Sequence, residues 1–224
     1  MPKDINSPQD NDNRNYDYTG IETENRKEYG VIANMITETG AVLDLGCGNG
    51  SLLQLLNDKG KCSRAVGIEI SETGVEMSRK KGLEVIMGEI DERLPFGDNE
   101  FDYALCNVTI QMVMYPEVLL KEMKRVARKL IISFPNFGFY RNRLDMLLKG
   151  RMPQPMIFGY KWYNTGHIHQ LSIADFKELL EQTGGLEIEK FSTVWNNNSV
   201  KDTLTGMFPN LFCLLPIFLL KKTN

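Results

Sequence analysis

Short apolar runs alternate along this chain with stretches whose apolar residues recur at helical spacing. Over 24–39, Tyr29, Ile32, Ala33 and Ile36 share one helical face, and Gly40 ends the pattern. Runs at 41–45, 65–70, 83–87, 101–108 and 130–134 predict strands. Between them, Leu52, Leu53, Leu55 and Leu56 mark a helix that ends near Gly60, and further helices are predicted over 72–81 and 116–128. Strands separated by helices form a parallel α/β sheet, and their near-continuous apolar character implies that both faces are covered.

The rhythm breaks after Phe134. Residues 135–171 hold Gly, Pro and Asn, the aromatics Phe158, Tyr160, Trp162 and Tyr163, and both histidines, with a helix predicted only over 140–148. An insertion of this length after a strand shapes a binding surface more often than a core. Ser172 then caps a helix over 173–183, Gly184 and Gly185 end it, and a strand follows over 186–191. The run from Leu211 to Leu220 is too short to span a bilayer, and Pro216 argues against a helix, so 216–222 reads as a buried final strand. Residues 1–19, rich in Asn, Asp, Pro and Ser, read as a disordered leader without a signal-peptide core, and 20–224 as one domain.

With 224 residues, 42% of them hydrophobic, the chain suits one core. A formal charge of −3 with scattered Lys and Arg gives no basic stripe for nucleic acid. Cys47, Cys62, Cys106 and Cys213 stand apart, with no pair suited to zinc, and read as reduced cytoplasmic thiols; no metal is expected.

The chemistry gathers around Gly46, Gly48 and Gly50, which follow the apolar run Val42, Leu43, Asp44, Leu45. Glycines at the carboxyl end of a strand let backbone approach a ligand. The spacing Gly-x-Gly-x-Gly differs from the dinucleotide fingerprint, and residue 51 is Ser, which argues against a nicotinamide dehydrogenase. Amides of Gly46, Gly48 and the following helix start could hold a carboxylate, with Cys47 a packing residue inside the loop. Glu69, followed by Ile70, ends the next strand, about 20 residues past the loop, where a carboxylate can accept both ribose hydroxyls. The alternative for Glu69 is an ordinary capping or surface role.

This loop resembles motif I of the class I S-adenosylmethionine (SAM) methyltransferases, with Asp44 as the acid facing the ammonium group. On the same resemblance, Glu89 and Ile90 in Gly88-Glu89-Ile90-Asp91 would meet adenine, and Asn107 would stand at the ligand end of the fourth strand. His169, His167 and Tyr163 are the candidates for a base, needed only if the methyl acceptor must lose a proton. A structural role for His169 competes with that reading.

Beyond the loop, Ser133-Phe134-Pro135-Asn136-Phe137-Gly138, Gly150-Arg151-Met152-Pro153, Trp162-Tyr163-Asn164-Thr165, Ile168-His169 and Phe208-Pro209-Asn210-Leu211 are similar in order and kind to the methionine-biosynthesis protein MetW family. His167 replaces the family's usual Asn. The resemblance implies an α/β, Rossmann-like class I SAM methyltransferase fold, with a mostly parallel seven-stranded sheet, helices on both faces and an antiparallel last strand. It implies SAM as cofactor, S-adenosylhomocysteine as product, a cytoplasmic setting, and homoserine O-acetyltransferase as partner. Two readings compete: a SAM-dependent methyltransferase, or a methyltransferase-fold activator of that acyltransferase. The alternative is a methyltransferase acting on an unrelated small molecule or a cell-envelope sugar or lipid.

Overall fold

Strand β1 (Gly40–Leu45) is an interior strand of the sheet, and its residues feed both faces. Leu43 and Leu45 enter one buried cluster and Val42 the other, as the two-residue period of a strand requires. The structure, a computed structural model, describes residues 17–20, 25–152, 166–194 and 199–223. Helix α1 (Lys27–Met35) precedes β1, and α2 (Ser51–Asp58), β2 (Cys62–Glu69), α3 (Glu72–Lys80), β3 (Glu84–Met87) and β4 (Phe101–Asn107) follow it. Then come α4 (Pro116–Val126), β5 (Ala127–Ser133), α5 (Tyr140–Lys149), α6 (Ile173–Thr183), β6 (Leu186–Thr193), α7 (Ser199–Met207), α8 (Pro209–Phe212) and β7 (Pro216–Lys222).

The seven strands run in the order β3-β2-β1-β4-β5-β7-β6, with β7 antiparallel to both neighbours, as the sequence leads one to expect. Residues of α1, α2 and α3 pack on one face, and α4 and α6 supply Leu119, Leu120, Met123, Val126, Phe176 and Leu180 to the other. Strand order reverses between β1 and β4, so a crevice opens at their carboxyl ends. That topological switch point receives the glycine loop.

Most predicted elements stand within a few residues of their expected bounds. Strand β2 begins at Cys62 rather than 65, because Arg64 pairs with Ala41 in register although it stays exposed. Helix α4 stops at Val126 and β5 starts at once, since Ala127 pairs with Phe101. The helices α7 and α8 have no counterpart in the sequence reading.

Two family-like segments meet past the end of β5. The buried Asn136 amide donates to Asn210 O (3.1 Å) and Cys213 O (2.7 Å), while its Oδ1 accepts from Gly138 N (2.9 Å) and Ile173 N (3.3 Å). Asn210 Oδ1 also accepts from Ile173 N at 3.1 Å. Asn136 thus joins the exit of β5, the start of α6 and the approach to β7. A similar clasp holds the Pro95-Phe96-Gly97-Asp98 turn. There the Arg125 guanidinium donates to Leu94 O (3.1 Å), Phe96 O (2.7 Å), Asp98 (3.0 Å) and Glu122 (2.6 Å).

Asn136→Ala leaves buried backbone groups unpaired and is expected to lower stability by about 3 kcal/mol. Urea unfolding of the full chain measures this, and a loss below about 1 kcal/mol would show that water replaces the clasp.

Candidate functional site

Gly46, Gly48 and Gly50 all adopt positive φ, at 77°, 57° and 73°. A side chain would strain each of them, and space forbids it as well: a Cβ on Gly46 would lie 2.6 Å from Thr109 Cγ2, and one on Gly50 2.5 Å from Leu83 Cδ1. The loop after β1 therefore lies directly against the residue that follows β4.

The loop amides correct one expectation. Gly46 N and Cys47 N both donate to Ile68 O (2.8 and 3.1 Å), Gly50 N donates to Cys47 O (3.0 Å), and Gly48 N donates to Glu69 Oε2 (2.7 Å). Buried amides must find partners, and these have found them within the fold, so the amides of Gly46 and Gly48 do not face a ligand carboxylate. Cys47 turns its sulfur onto Gly67, where a Cβ would come within 2.5 Å of it; burial, with Asp44 nearby, pushes its thiol pKa well above the usual value. It is a packing residue.

Asp44, the penultimate residue of β1, lies on the face covered by α1 and is 2% exposed. Its Oδ1 is buried and has no hydrogen-bond partner among the described residues. Burial first, then the nearby Glu69 charge, push its pKa up from 3.8 to about 7, while Arg26 opposes them. Glu69 lies buried at the end of β2: its Oε2 accepts from Gly48 N, and its Oε1 accepts from Ser71 N at 2.8 Å. Burial raises its pKa, offset in part by the amides of Ser71, Gly48 and Ile70. Two carboxylates, one lacking a partner, thus converge beside a strained glycine loop.

Ile70 is exposed beside Glu69, and Met87, paired with Glu69 across the strands, is exposed too. Glu89 is exposed, whereas Ile90 is buried in the core cluster with Leu94. Asn107 ends β4, and its Oδ1 accepts from Ser133 Oγ at 2.6 Å. The next residue, Val108, takes φ 56°, a costly conformation for a β-branched side chain. It is held by Ser133, whose O (3.0 Å) and Oγ (3.1 Å) both accept from Val108 N, and by Gln111 Nε2, which donates to Val108 O (2.9 Å).

The histidines lie on this same wall. Ile168 N and His169 N both donate to Gln111 O (2.9 and 3.0 Å), and His169 Nε2 lies 3.3 Å from Met114 O. His167 is buried edge-on to Phe137, 6.2 Å between ring centres, and burial lowers its pKa. The backbone of Ile168 and His169 thus seats the segment 166–171 on the 3-10 turn Ile110–Met112, while His167 packs on Phe137. Tyr163, with Phe158, Tyr160 and Trp162, lies outside the described residues.

Sequence reasoning missed Gln111, Thr109, Met87 and Tyr18. The first two sit in an unremarkable turn; Met87 carries the weak signal of ending a strand just before Gly88. Tyr18 falls in the polar stretch expected to be a disordered leader, yet its N donates to Thr73 Oγ1 at 3.0 Å and its ring stands over Gly48. Residues 1–16 of that stretch lie outside the described residues. Among the described residues, no group of three or more His, Cys, Asp or Glu could hold a metal, and no helix is long and apolar enough to cross a membrane.

Comparison with known proteins places this geometry. The family model described as "Methionine biosynthesis protein MetW" matches residues 26–220. A curated relative from Rhodopirellula baltica, "Bifunctional methionine biosynthesis protein MetXA/MetW", is 38% identical over 160 residues, covering 67% of this chain but only 26% of the relative's own length. Among solved structures, a SAM-dependent methyltransferase from Mesorhizobium loti aligns with TM-score 0.61 at 14% identity, covering 88% of this chain and 98% of that one. Magnesium protoporphyrin IX methyltransferase from Synechocystis PCC 6803 with bound SAM gives 0.58 at 15%, covering 88% and 79%. These likenesses establish the class I SAM methyltransferase fold.

Because Asp44 holds a proton in the folded chain up to about pH 7 that the unfolded chain releases near 3.8, stability falls as pH rises through that window. Between about pH 5 and 7.5 the loss amounts to roughly 2–3 kcal/mol. Asp44→Asn is expected to flatten this slope in urea unfolding of the ligand-free protein; an unchanged slope would assign it to other groups.

Proposed function

The chain belongs to the MetW family, and from that premise we propose that it binds S-adenosylmethionine at the carboxyl ends of β1, β2 and β4. The observation that carries this is Asp44 Oδ1, a buried carboxylate oxygen beside the glycine loop with no hydrogen-bond partner among the described residues. A ligand ammonium supplies the charge and the donors that such an oxygen requires. Glu69 has lone pairs left beyond those taken by the amides of Gly48 and Ser71, which suits ribose hydroxyls. Exposed Ile70 and Met87 offer an apolar floor for adenine, with Glu89 within the same loop for its amino group. Asn107 would border the methionine end.

S-adenosylmethionine, when bound, supplies an electrophilic methyl group on a sulfonium. This chain's contribution to its transfer would be orientation and exclusion of water, since His169 is engaged in seating 166–171 and His167 packs on Phe137. That engagement favours the activator reading over a base-assisted methyltransferase. We propose accordingly that the protein serves methionine biosynthesis by associating with a homoserine O-acetyltransferase, its occupancy by SAM reporting the level of a downstream product. The bifunctional name of the Rhodopirellula relative supports such a pairing. So does α5, where Leu147 and Leu148 are 78% and 75% exposed and Asn142 is the buried residue. The family match favours this pathway over an unrelated small-molecule, sugar or lipid acceptor.

An ammonium ligand favours the ionised form of Asp44, so affinity for SAM is expected to tighten roughly eightfold between about pH 6 and 7.5, with Asp44→Asn removing the dependence. Titration calorimetry measures it, and absence of binding at millimolar SAM would overturn the proposal.

The pairing is read separately. Leu147→Asp with Leu148→Asp is expected to abolish stimulation of homoserine O-acetyltransferase activity while leaving the SAM dissociation constant unchanged; undiminished stimulation would remove α5 from the interface.

A further inference from the structure

Among the described residues, an aromatic ring from the N-terminal stretch lies against the glycine loop. A Cβ built on Gly48 would lie 2.9 Å from Tyr18 Oη and 3.1 Å from its Cζ, and one built on Gly74 would lie 3.2 Å from Tyr18 Cδ2 and 3.0 Å from Glu69 Cγ. The ring therefore spans from the middle glycine of the loop to the first turn of α3, across the carboxylate between them. Both residues beneath it are glycines, and the contact distances show why: any side chain there would displace the ring.

The backbone of Tyr18 is tied to the same carboxylate through a short relay. Tyr18 N donates to Thr73 Oγ1 (3.0 Å), Thr73 Oγ1 lies 3.0 Å from Ser71 Oγ, and Ser71 Oγ accepts from Gly74 N (3.2 Å). Ser71 N donates to Glu69 Oε1, and Glu69 Oε2 accepts from Gly48 N, on which the Tyr18 ring rests. The circuit closes around Glu69.

We propose that Tyr18 is a binding residue for the nucleoside part of the cofactor, forming the outer wall of the ribose site and held there by Thr73, Ser71 and Glu69. This rests on the SAM reading above. A diol-bearing nucleoside seated on Glu69 would have the Tyr18 ring on its solvent side, where an aromatic face excludes water and its hydroxyl lies beside the loop. Thr73 sets the position of the ring and Tyr18 makes the contact.

The test uses the full chain with S-adenosylhomocysteine and, separately, adenosine as calorimetric ligands. Tyr18→Ala is expected to weaken both by the same factor, about tenfold, and Tyr18→Phe by less. Thr73→Val is expected to weaken both by several fold, and the melting temperature of each ligand-free variant should stay within a few degrees of the parent. Weakening of S-adenosylhomocysteine without weakening of adenosine would place Tyr18 at the amino-acid end and overturn the assignment. Equal binding by parent and Tyr18→Ala would overturn it while leaving the cofactor reading intact. Tighter binding by Tyr18→Ala would show that the ring occupies the ligand's place, which also overturns it. Failure of the parent chain to bind either ligand would remove the cofactor reading itself, and this inference with it.

Discussion

The hydrogen bond from Gly48 N to Glu69 Oε2 is the contact on which the site depends. It fixes the middle of the glycine loop against the end of the neighbouring strand, so the loop cannot relax outward from the sheet. Ser78 reinforces it by donating through Oγ to Gly48 O at 3.0 Å. With both polar groups of Gly48 engaged, the positive φ angles on either side are held by tertiary contacts rather than by local preference. The same bond keeps Glu69 buried and close enough to Asp44 to raise its pKa. A polar cleft with one orphaned oxygen thus follows from where a single carboxylate is anchored.

The opposite wall is built on the same principle with different residues. Val108 carries a backbone conformation that a β-branched residue disfavours by roughly 1–3 kcal/mol, and Ser133 and Gln111 hold it. The distortion turns the chain after β4 so that Thr109 meets Gly46, and Gln111 offers its carbonyl to the returning segment at 168–169. One turn therefore closes the crevice beside the glycine loop and docks the end of the long insertion. This is why the docked segment carries both histidines to the same wall.

Periodicity makes the strands and most helices legible, because apolar alternation reports burial on a layered sheet and little else is needed. The glycine loop is legible too, since its residue types are demanded by backbone geometry. Tyr18, Gln111 and the Asn136–Asn210 clasp are not, because each acts across 55 or more residues or through a main-chain carbonyl that any residue would supply. The amides of Gly46 and Gly48 show the converse. Glycine spacing reports where backbone comes close to something, and here the partners are Ile68 O and the Glu69 carboxylate. Two segments that carry the family resemblance, around Asn136 and Asn210, have a structural part: they join β5, α6 and the approach to β7.

That division bears on what the fold can do. The residues that separate this chain from other nucleotide binders stabilise the antiparallel half of the sheet and present α5, whereas those at the crevice suit recognition of an ammonium and a ribose. Recognition of an ammonium and a diol draws first on carboxylates held in place. Transfer of a methyl group needs in addition an acceptor held in line and shielded from water, and orientation of that kind contributes on the order of 7–11 kcal/mol in well-aligned cases. Among the described residues, Asn107, Thr109, Gln111 and His169 are each tied to a neighbouring side chain or to backbone, forming a braced wall. A wall braced in this way holds the segment 166–171 against the crevice in one arrangement.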